Sequence, residues 1–502
     1  MQALELSRWP TLQIGKSPPG KSVDIFIVDS ANIPPDIEKM IKSSKLSWSN
    51  KGNNLIVAKD VDFVKIFAPI NSKSPRSQRG ILNRLLEKFK LLCREDYAFD
   101  GCNFDIRTDL FKTEVLESFM LALYEFSCFK SEKNLIKDIF VSGDLSDEEM
   151  RRINKIIAIL PWVYFVQDMV NYPPNFKPPE ILAETIKKQL RDLPDIKINE
   201  WEGDSLRDKF DPVWNVGKGS DNKPVVLKIE YLSEKPVNAQ PVVLVGKGVC
   251  FDSGGMNAKI NETLAEMKLD MAGAAAVAGI CGYIASQKWP VHIVAYLPLV
   301  ENLLDSRSIK ASDVVSLPTV VDPKDKKDFE YIEVVDTDAE GRLLLCAMVN
   351  HARLYNNPDL IVTVATLCGT TEGMLGSYAA AAVSKVKKLL EDIEAAGVAT
   401  DENYASVRVS PDMLDECQTD MEGEITDWKN YSNSIDSGDT LMAFGLIQHF
   451  AENVPFLHLD ICGVALLKDS VIYKSKKRRP NGASGWGVRS VSEFLKRHFN
   501  LT

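Results

Sequence analysis

Residues 241–255 read PVVLVGKGVCFDSGG. An apolar run of β character stops at a glycine-flanked lysine, Lys247, and an aspartate, Asp252, follows in a second glycine-rich turn. Charge placed where a strand ends and the backbone bends tightly is how α/β enzymes build a site. Two later stretches echo the pattern: KLDMAG at 268–273 and DTDAEGR at 336–342.

The surrounding chain has 502 residues, enough for two or three domains and at least one large core. A net charge of −10 argues against a nucleic-acid scaffold, which normally carries a basic face. The first twenty residues contain no continuous apolar segment of signal-peptide type. The longest apolar run, 156–166, is too short to span a bilayer and contains Pro161. Nine cysteines form no CxxC pair or regular spacing, which excludes a disulfide framework or a zinc knuckle. The expectation is a reduced, cytoplasmic protein with neither nucleic acid nor membrane among its partners.

Residues 1–168 alternate strand-like stretches (23–28, 54–58, 64–69, 138–141) with helical patterns near 77–93 and 112–129. This predicts a small N-terminal α/β domain with a partly parallel sheet. Its cysteines, Cys93, Cys102 and Cys128, read as core fillers. Ser146, with Glu149 three residues on, predicts the cap of a linker helix over about 146–167. Prolines at 173, 174, 178 and 179 then break regular structure, and a domain boundary falls there. Residues 169–502 form the larger C-terminal α/β catalytic domain. Helices are expected at 180–192, 204–209 and 272–287. Strands are expected at 196–200, 225–231, 242–246, 292–297, 360–365 and 458–461, in a mostly parallel central sheet flanked by helices. The 272 helix is crowded with small residues (AGAAAVAG), which allows close backbone approach. A basic run, KSKKRR at 474–479, reads as a solvated loop.

Several chemistries are excluded by what is missing. The five histidines show no HExxH and no pair at i, i+4. Gly246-Lys247-Gly248 lacks the third glycine of a dinucleotide loop, because Phe251 stands there. Ser253 lacks a GxSxG context. What remains is a set of carboxylates and lysines. Asp252 and Asp270 flank Lys259, while Asp338, Glu340 and Arg342 share one side of their segment if it is extended. Singly, each of these acids could cap a turn. Jointly, in apolar and glycine-rich surroundings, they repel one another and are costly to desolvate. Bridging divalent cations remove that cost and activate a water for hydrolysis.

VGKGVCFDSGGMNAK, MKLDMAGAAAV and TDAEGRLLL resemble the signature segments of the leucyl (cytosol) aminopeptidase family. The likeness extends to QDMVNYPPNFKPPEILA, ATLCG at 365–369, ITDWKN at 425–430, HLDICG at 458–463 and GASGWGVR at 482–489. By position, the resemblance implies two divalent metals per subunit, zinc with manganese or magnesium able to replace one. Asp252 and Glu340 would bridge them, with Lys247 and Asp270 completing one site and Asp338 the other. Lys259 would polarise the scissile carbonyl, and Arg342 would hold a bicarbonate acting as general base. Met267, Thr366, Leu367 and Gly369 match positions lining the substrate cleft. The implied activity is release of N-terminal residues, leucine and other apolar ones favoured, from peptides by a hexameric enzyme. The alternative is a DNA-binding or regulatory protein of the same fold.

The chain departs from the family pattern in places. The 301–313 stretch keeps Asn302, Ser306 and Asp313 but loses the usual proline and glycine. The 318–335 connection is longer and more charged, Asp336 replaces an asparagine, and Gly438-Asp439 stands where two glycines are usual.

Overall fold

The structure, a computed structural model, describes residues 145–260, 262–432, 438–467 and 482–501, together with shorter stretches before residue 144 that include the elements named below. The expected helix at 77–93, Cys93 and the basic run 474–479 lie outside the described residues. Two compact units emerge: one of residues 6–164 and 468–481, the other of residues 1–5, 165–467 and 482–502.

In the first unit the strands are β1 (Thr11–Ile14), β2 (Ser22–Asp29), β3 (Ile56–Lys59), β4 (Phe63–Ile70), β5 (Gly101–Arg107) and β6 (Asp138–Gly143), with helix α1 (Thr113–Leu123) between the last two. They form one sheet in the order β1-β6-β5-β2-β4-β3. Only the β3–β4 pair is antiparallel. β1 and β5 were not expected from sequence. Four residues are too few to show a period, and β5 (GCNFDIR) dilutes its apolar signal with polar alternation.

Helix α2 (Asp147–Asn171) starts as its sequence predicts: the Ser146 amide donates to Glu149 Oε2 at 2.9 Å, and the Glu149 amide donates back to Ser146 Oγ at 3.3 Å. By length and composition α2 and the segment Leu264–Ser286 could each cross a membrane. However, 72% and 94% of their most apolar windows are buried in the protein, so that apolar surface serves packing.

The second unit carries the nine-stranded sheet. After helices α3 (Pro179–Leu190) and α4 (Asp211–Gly217), which flank β7 (Ile196–Glu202), come β8 (Val225–Leu232), β9 (Val242–Gly246), β10 (Gly248–Asp252), helix α5 (Ala272–Ser286) and β11 (His292–Asn302). A side sheet holds β12 (Val314–Pro318), β13 (Phe329–Glu333) and the short β17 (Trp428–Lys429). The main sheet continues with helix α6 (Glu340–Asn356), β14 (Leu360–Ala365), helix α7 (Gly369–Leu375), β15 (Ala380–Ser384), β16 (Tyr404–Arg408), helix α8 (Asp439–Ala451) and β18 (Phe456–Asp460). Its order is β16-β15-β18-β14-β9-β11-β8-β7, with β10 added on β11. The centre β18-β14-β9-β11 is parallel throughout.

Alternation along β9 separates the two faces. Val243 and Val245 join the core that includes Leu343–Val349 of α6, whereas a Cβ on Gly246 would lie 2.6 Å from Ala274 Cα of α5. The small-residue character of α5 has the expected use, since a Cβ on Gly273 would sit 2.1 Å from the Val364 carbonyl oxygen. The 204–209 helix is replaced by a 3₁₀ turn, Gly203–Leu206, and helical structure resumes at α4, where Pro212 fits the first turn.

One buried cation braces this unit. Lys177 is fully buried, and its Nζ donates to the carbonyls of Met169 (3.0 Å), Val170 (2.9 Å) and Lys268 (2.6 Å). Burial pushes its pKa down to about 7, with the Lys268 charge acting in the same direction. Three donors directed at three carbonyls nevertheless require the ammonium form. Lys177→Met leaves these carbonyls without a donor, and each orphaned buried acceptor costs about 1–3 kcal/mol. Denaturant unfolding should therefore show a loss of about 3 kcal/mol or more. An unchanged midpoint would show that the amine holds nothing.

Candidate metal centre

The centre is assembled where the parallel strands end. Lys247 sits between β9 and β10, its amide donating to Val364 O of β14 (3.0 Å) and its carbonyl accepting from Ala274 N of α5 (2.8 Å). Asp252 closes β10. Asp270 precedes α5, and its carbonyl accepts from Val249 N (3.2 Å). Glu340 opens α6, and Asp338 stands in the turn before it. The 336–342 segment is therefore not extended. Glu340 and Arg342 occupy the first helical turn, where the helix dipole favours a carboxylate. Gly254 makes the turn after β10 with φ +85°, a conformation that disfavours any residue with a Cβ.

Two lysines bridge the acids. Lys247 Nζ lies 2.8 Å from Asp270 Oδ2 and 3.0 Å from Glu340 Oε1, and it donates to the Thr366 carbonyl at 3.0 Å. Lys259 Nζ lies 2.8 Å from Asp252 Oδ2 and 2.5 Å from Asp338 Oδ1. Asp252, Asp270, Glu340 and Lys247 are all buried, while Lys259 keeps 16% and Asp338 32% of its side chain exposed, so the centre opens on their side. Gly341 leaves no room behind Lys247, since a Cβ there would lie 2.6 Å from Lys247 Cε and 2.8 Å from Leu367 Cδ1.

The electrostatics follow from burial. Asp270 is pushed up to about 8, by desolvation first, then by the charges of Asp252 and Glu340 working against Lys247. Asp338 is pushed up to about 7 by the same causes, opposed by Lys259. Glu340 is raised by desolvation and Asp252. For Lys247 burial acts downward, but Asp270, Glu340 and Asp252 outweigh it and hold the ammonium well above its ordinary value. Lys259 is likewise held high.

These residues suit a divalent cation. Ligand oxygens of Asp252, Asp270 and Glu340 lie within 4.8 Å of one another, all buried. Asp270 Oδ2 and Asp338 Oδ1 have the Lys247 and Lys259 ammonium groups as their only polar partners among the described residues. Hard carboxylate oxygens of this kind bind zinc, manganese or magnesium.

Arg342, fully buried, meets a carboxylate of its own chain: Nη2 donates to Asp439 Oδ1 at 2.6 Å. Its Nε and Nη1 have no acceptor among the described residues. Of the expected cleft residues, Thr366 is in direct contact, its Oγ1 donating to Asp270 Oδ1 at 2.7 Å. Leu367 borders Lys247 and Gly341. Met267 is half-buried and its carbonyl accepts from Asp270 N (3.3 Å), while Gly369 is exposed at the start of α7.

Two residues were given no role from sequence, although Asn302 was noted as a retained family position. Asn302, ending β11, donates through Nδ2 to Asp252 Oδ1 (2.9 Å), Thr337 O (3.0 Å) and Glu340 Oε2 (3.3 Å). Asp460, ending β18, accepts from the amides of Leu367, Cys368 and Cys462 (3.1 Å each) and from Thr371 Oγ1 (2.8 Å), so it fixes the 366–369 loop. The available signal was a polar residue closing an otherwise apolar strand.

The cytosol aminopeptidase family, catalytic domain, matches residues 164–492. The chain belongs to the cytosol aminopeptidase family. Among curated relatives, a probable cytosol aminopeptidase of Cenarchaeum symbiosum (strain A) is 31% identical over 384 residues, covering 76% of this chain and 75% of that protein. One of Rickettsia rickettsii (strain Sheila Smith) is 32% identical over 398 residues, covering 77% and 75%. Among solved structures, a cytosol aminopeptidase from Coxiella burnetii shares the fold with a TM-score of 0.74 at 23% identity, over 97% of this chain and 99% of that one. A bottromycin maturation enzyme, BotP, in complex with Mn, aligns with a TM-score of 0.76 at 22% identity, over 96% and 100%. As a family member the chain is a metal-dependent peptide hydrolase that acts at the N-terminus of peptides. The DNA-binding alternative finds no support.

Proposed function

We propose that this aminopeptidase holds two divalent cations among Lys247, Asp252, Asp270, Asp338 and Glu340, zinc being the resident ion and manganese or magnesium able to replace one. Asp252 and Glu340 would serve both sites, with Lys247 and Asp270 completing one and Asp338 the other. The buried carboxylate cluster is the observation that carries this reading. The cations supply the Lewis acidity that lowers the pKa of a bound water and polarises the scissile carbonyl. Lys247 would serve as a neutral amine, its proton displaced by the neighbouring dication.

The chain's own groups do the rest. Lys259, an ammonium with partial exposure, donates to the carbonyl oxygen as negative charge grows on it. Asp270 receives the substrate's free α-amino group, which restricts cleavage to the first residue. Thr366, Leu367, Gly369 and Met267 shape the cleft for leucine and other apolar side chains, and Arg342 completes the polar wall. We propose a catalytic domain over 169–502 and an α/β domain over 1–168; the start of the family match at 164 supports that boundary, although residues 468–481 cluster with the first unit and 1–5 with the second. A hexameric, cytoplasmic enzyme belongs to the same proposal; light scattering of the purified chain reads its assembly.

The deciding experiment is chelation. Leucine p-nitroanilide hydrolysis should vanish after chelator dialysis and return with zinc or manganese. Full activity in metal-free protein would end the proposal.

A further inference from the structure

A buried guanidinium needs an anion, because its charge has left water. Arg342 has one within the chain: Asp439 Oδ1, 2.6 Å from Nη2, with the two side chains 3% and 21% exposed. Asp439 opens α8, where the helix N-terminus also favours its charge. The negative field of the same carboxylate also reaches the buried Cys368 thiol and disfavours its ionisation. The family resemblance puts a bicarbonate from solution at this arginine and a glycine at this position.

We propose that Asp439 is the resident counter-anion of Arg342, a positioning residue that takes the place of an exogenous bicarbonate, so that hydrolysis by this enzyme needs no dissolved bicarbonate. The proposal rests on the aminopeptidase reading of the centre. Arg342 Nε and Nη1 still lack an acceptor among the described residues. They are a poor anion site, because the Arg342–Asp439 pair is already neutral. A further anion there would meet the negative field of Asp439 and of Glu340, whose charge also reaches the guanidinium. Removing the Asp439 carboxylate leaves a buried, uncompensated guanidinium beside a space of carboxylate size, and a small anion should then enter.

The test compares wild type, Asp439→Gly and Asp439→Asn in carbon-dioxide-free buffer at fixed ionic strength. Wild-type hydrolysis of leucine p-nitroanilide should be unaffected by added bicarbonate. Asp439→Gly should lose about tenfold or more in rate and recover saturably with bicarbonate or formate. Asp439→Asn keeps the shape and fills the space, so it should fold, lose rate and resist rescue. A readout independent of activity is line broadening of ¹³C-labelled bicarbonate by metal-free protein, expected with Asp439→Gly and absent with wild type. Bicarbonate stimulation of wild type, labelled bicarbonate bound by wild type, a fully active Asp439→Gly in bicarbonate-free buffer, or an impaired Asp439→Gly that neither binds nor responds to the anions would each overturn the assignment. If no protein hydrolyses the substrate yet the binding difference is present, the aminopeptidase reading fails and the Asp439 assignment stands.

Discussion

Lys259→Ala is expected to lower kcat for leucine p-nitroanilide by about 10²–10³-fold, the usual scale for losing one preorganised oxyanion donor. Glu340→Ala should abolish turnover, with a loss of about 10³-fold or more from removing a proposed ligand of the metal centre. The two variants fail for different reasons, and folding measurements separate them. Lys259 pairs with both Asp252 and Asp338, and it remains an ammonium because those carboxylates and Glu340 hold its pKa high. Its loss leaves two acids facing each other, so metal-free Lys259→Ala should melt earlier than wild type. Glu340 is buried beside Asp252, and its charge costs desolvation and repulsion. Removing it should leave the metal-free melting temperature unchanged or higher while metal affinity collapses. Hydrolysis that survives either change in a folded protein would sink the mechanism.

Much of the site was legible because its residues lie at strand ends bounded by glycine. Lys247 and Asp252 stand out from PVVLVGKGVCFDSGG because charge closes an apolar run beside glycine, and it is their joint occurrence with the later acids that outweighs a simple turn cap. The mutual approach of 252, 270 and 340 could not be read that way: nearly ninety residues separate the first and last, and register between β9, β14 and β11 brings them together. The 336–342 segment misled because i, i+2 spacing suits a strand as well as the irregular entry to a helix. Asn302 and Asp460 were hidden for another reason. Each acts by hydrogen bonds to partners distant in sequence, and a single polar residue after a strand carries no mark of which partners it will find. In the N-terminal unit, strands such as β5 left only a weak alternation to follow.

Metal affinity should climb steeply with pH, and the sign follows from the raised carboxyls. Asp270 moves from 3.8 to about 8 and Asp338 from 3.8 to about 7 in the folded chain, so both hold protons that the unfolded chain has already released. Their contribution to the stability of the metal-free protein is fully present below about pH 4, and it is lost as the pH rises through about 7 for Asp338 and about 8 for Asp270. Lys247 and Lys259, held above their ordinary 10.5, shift stability only at still higher pH and leave this window alone. A cation needs both carboxylates bare, so binding must expel their protons. Affinity should then rise by roughly tenfold per pH unit for each proton displaced; the two carboxyl protons stop contributing above about pH 8, while the Lys247 proton contributes throughout. Calorimetric titration of manganese into metal-free protein, in two buffers of different ionisation enthalpy, counts those protons directly. The stabilisation that manganese gives against thermal unfolding should grow over the same range. Binding that releases only the Lys247 proton at neutral pH would mean that the acids are already ionised, with Lys247 and Lys259 compensating them more fully than burial penalises them.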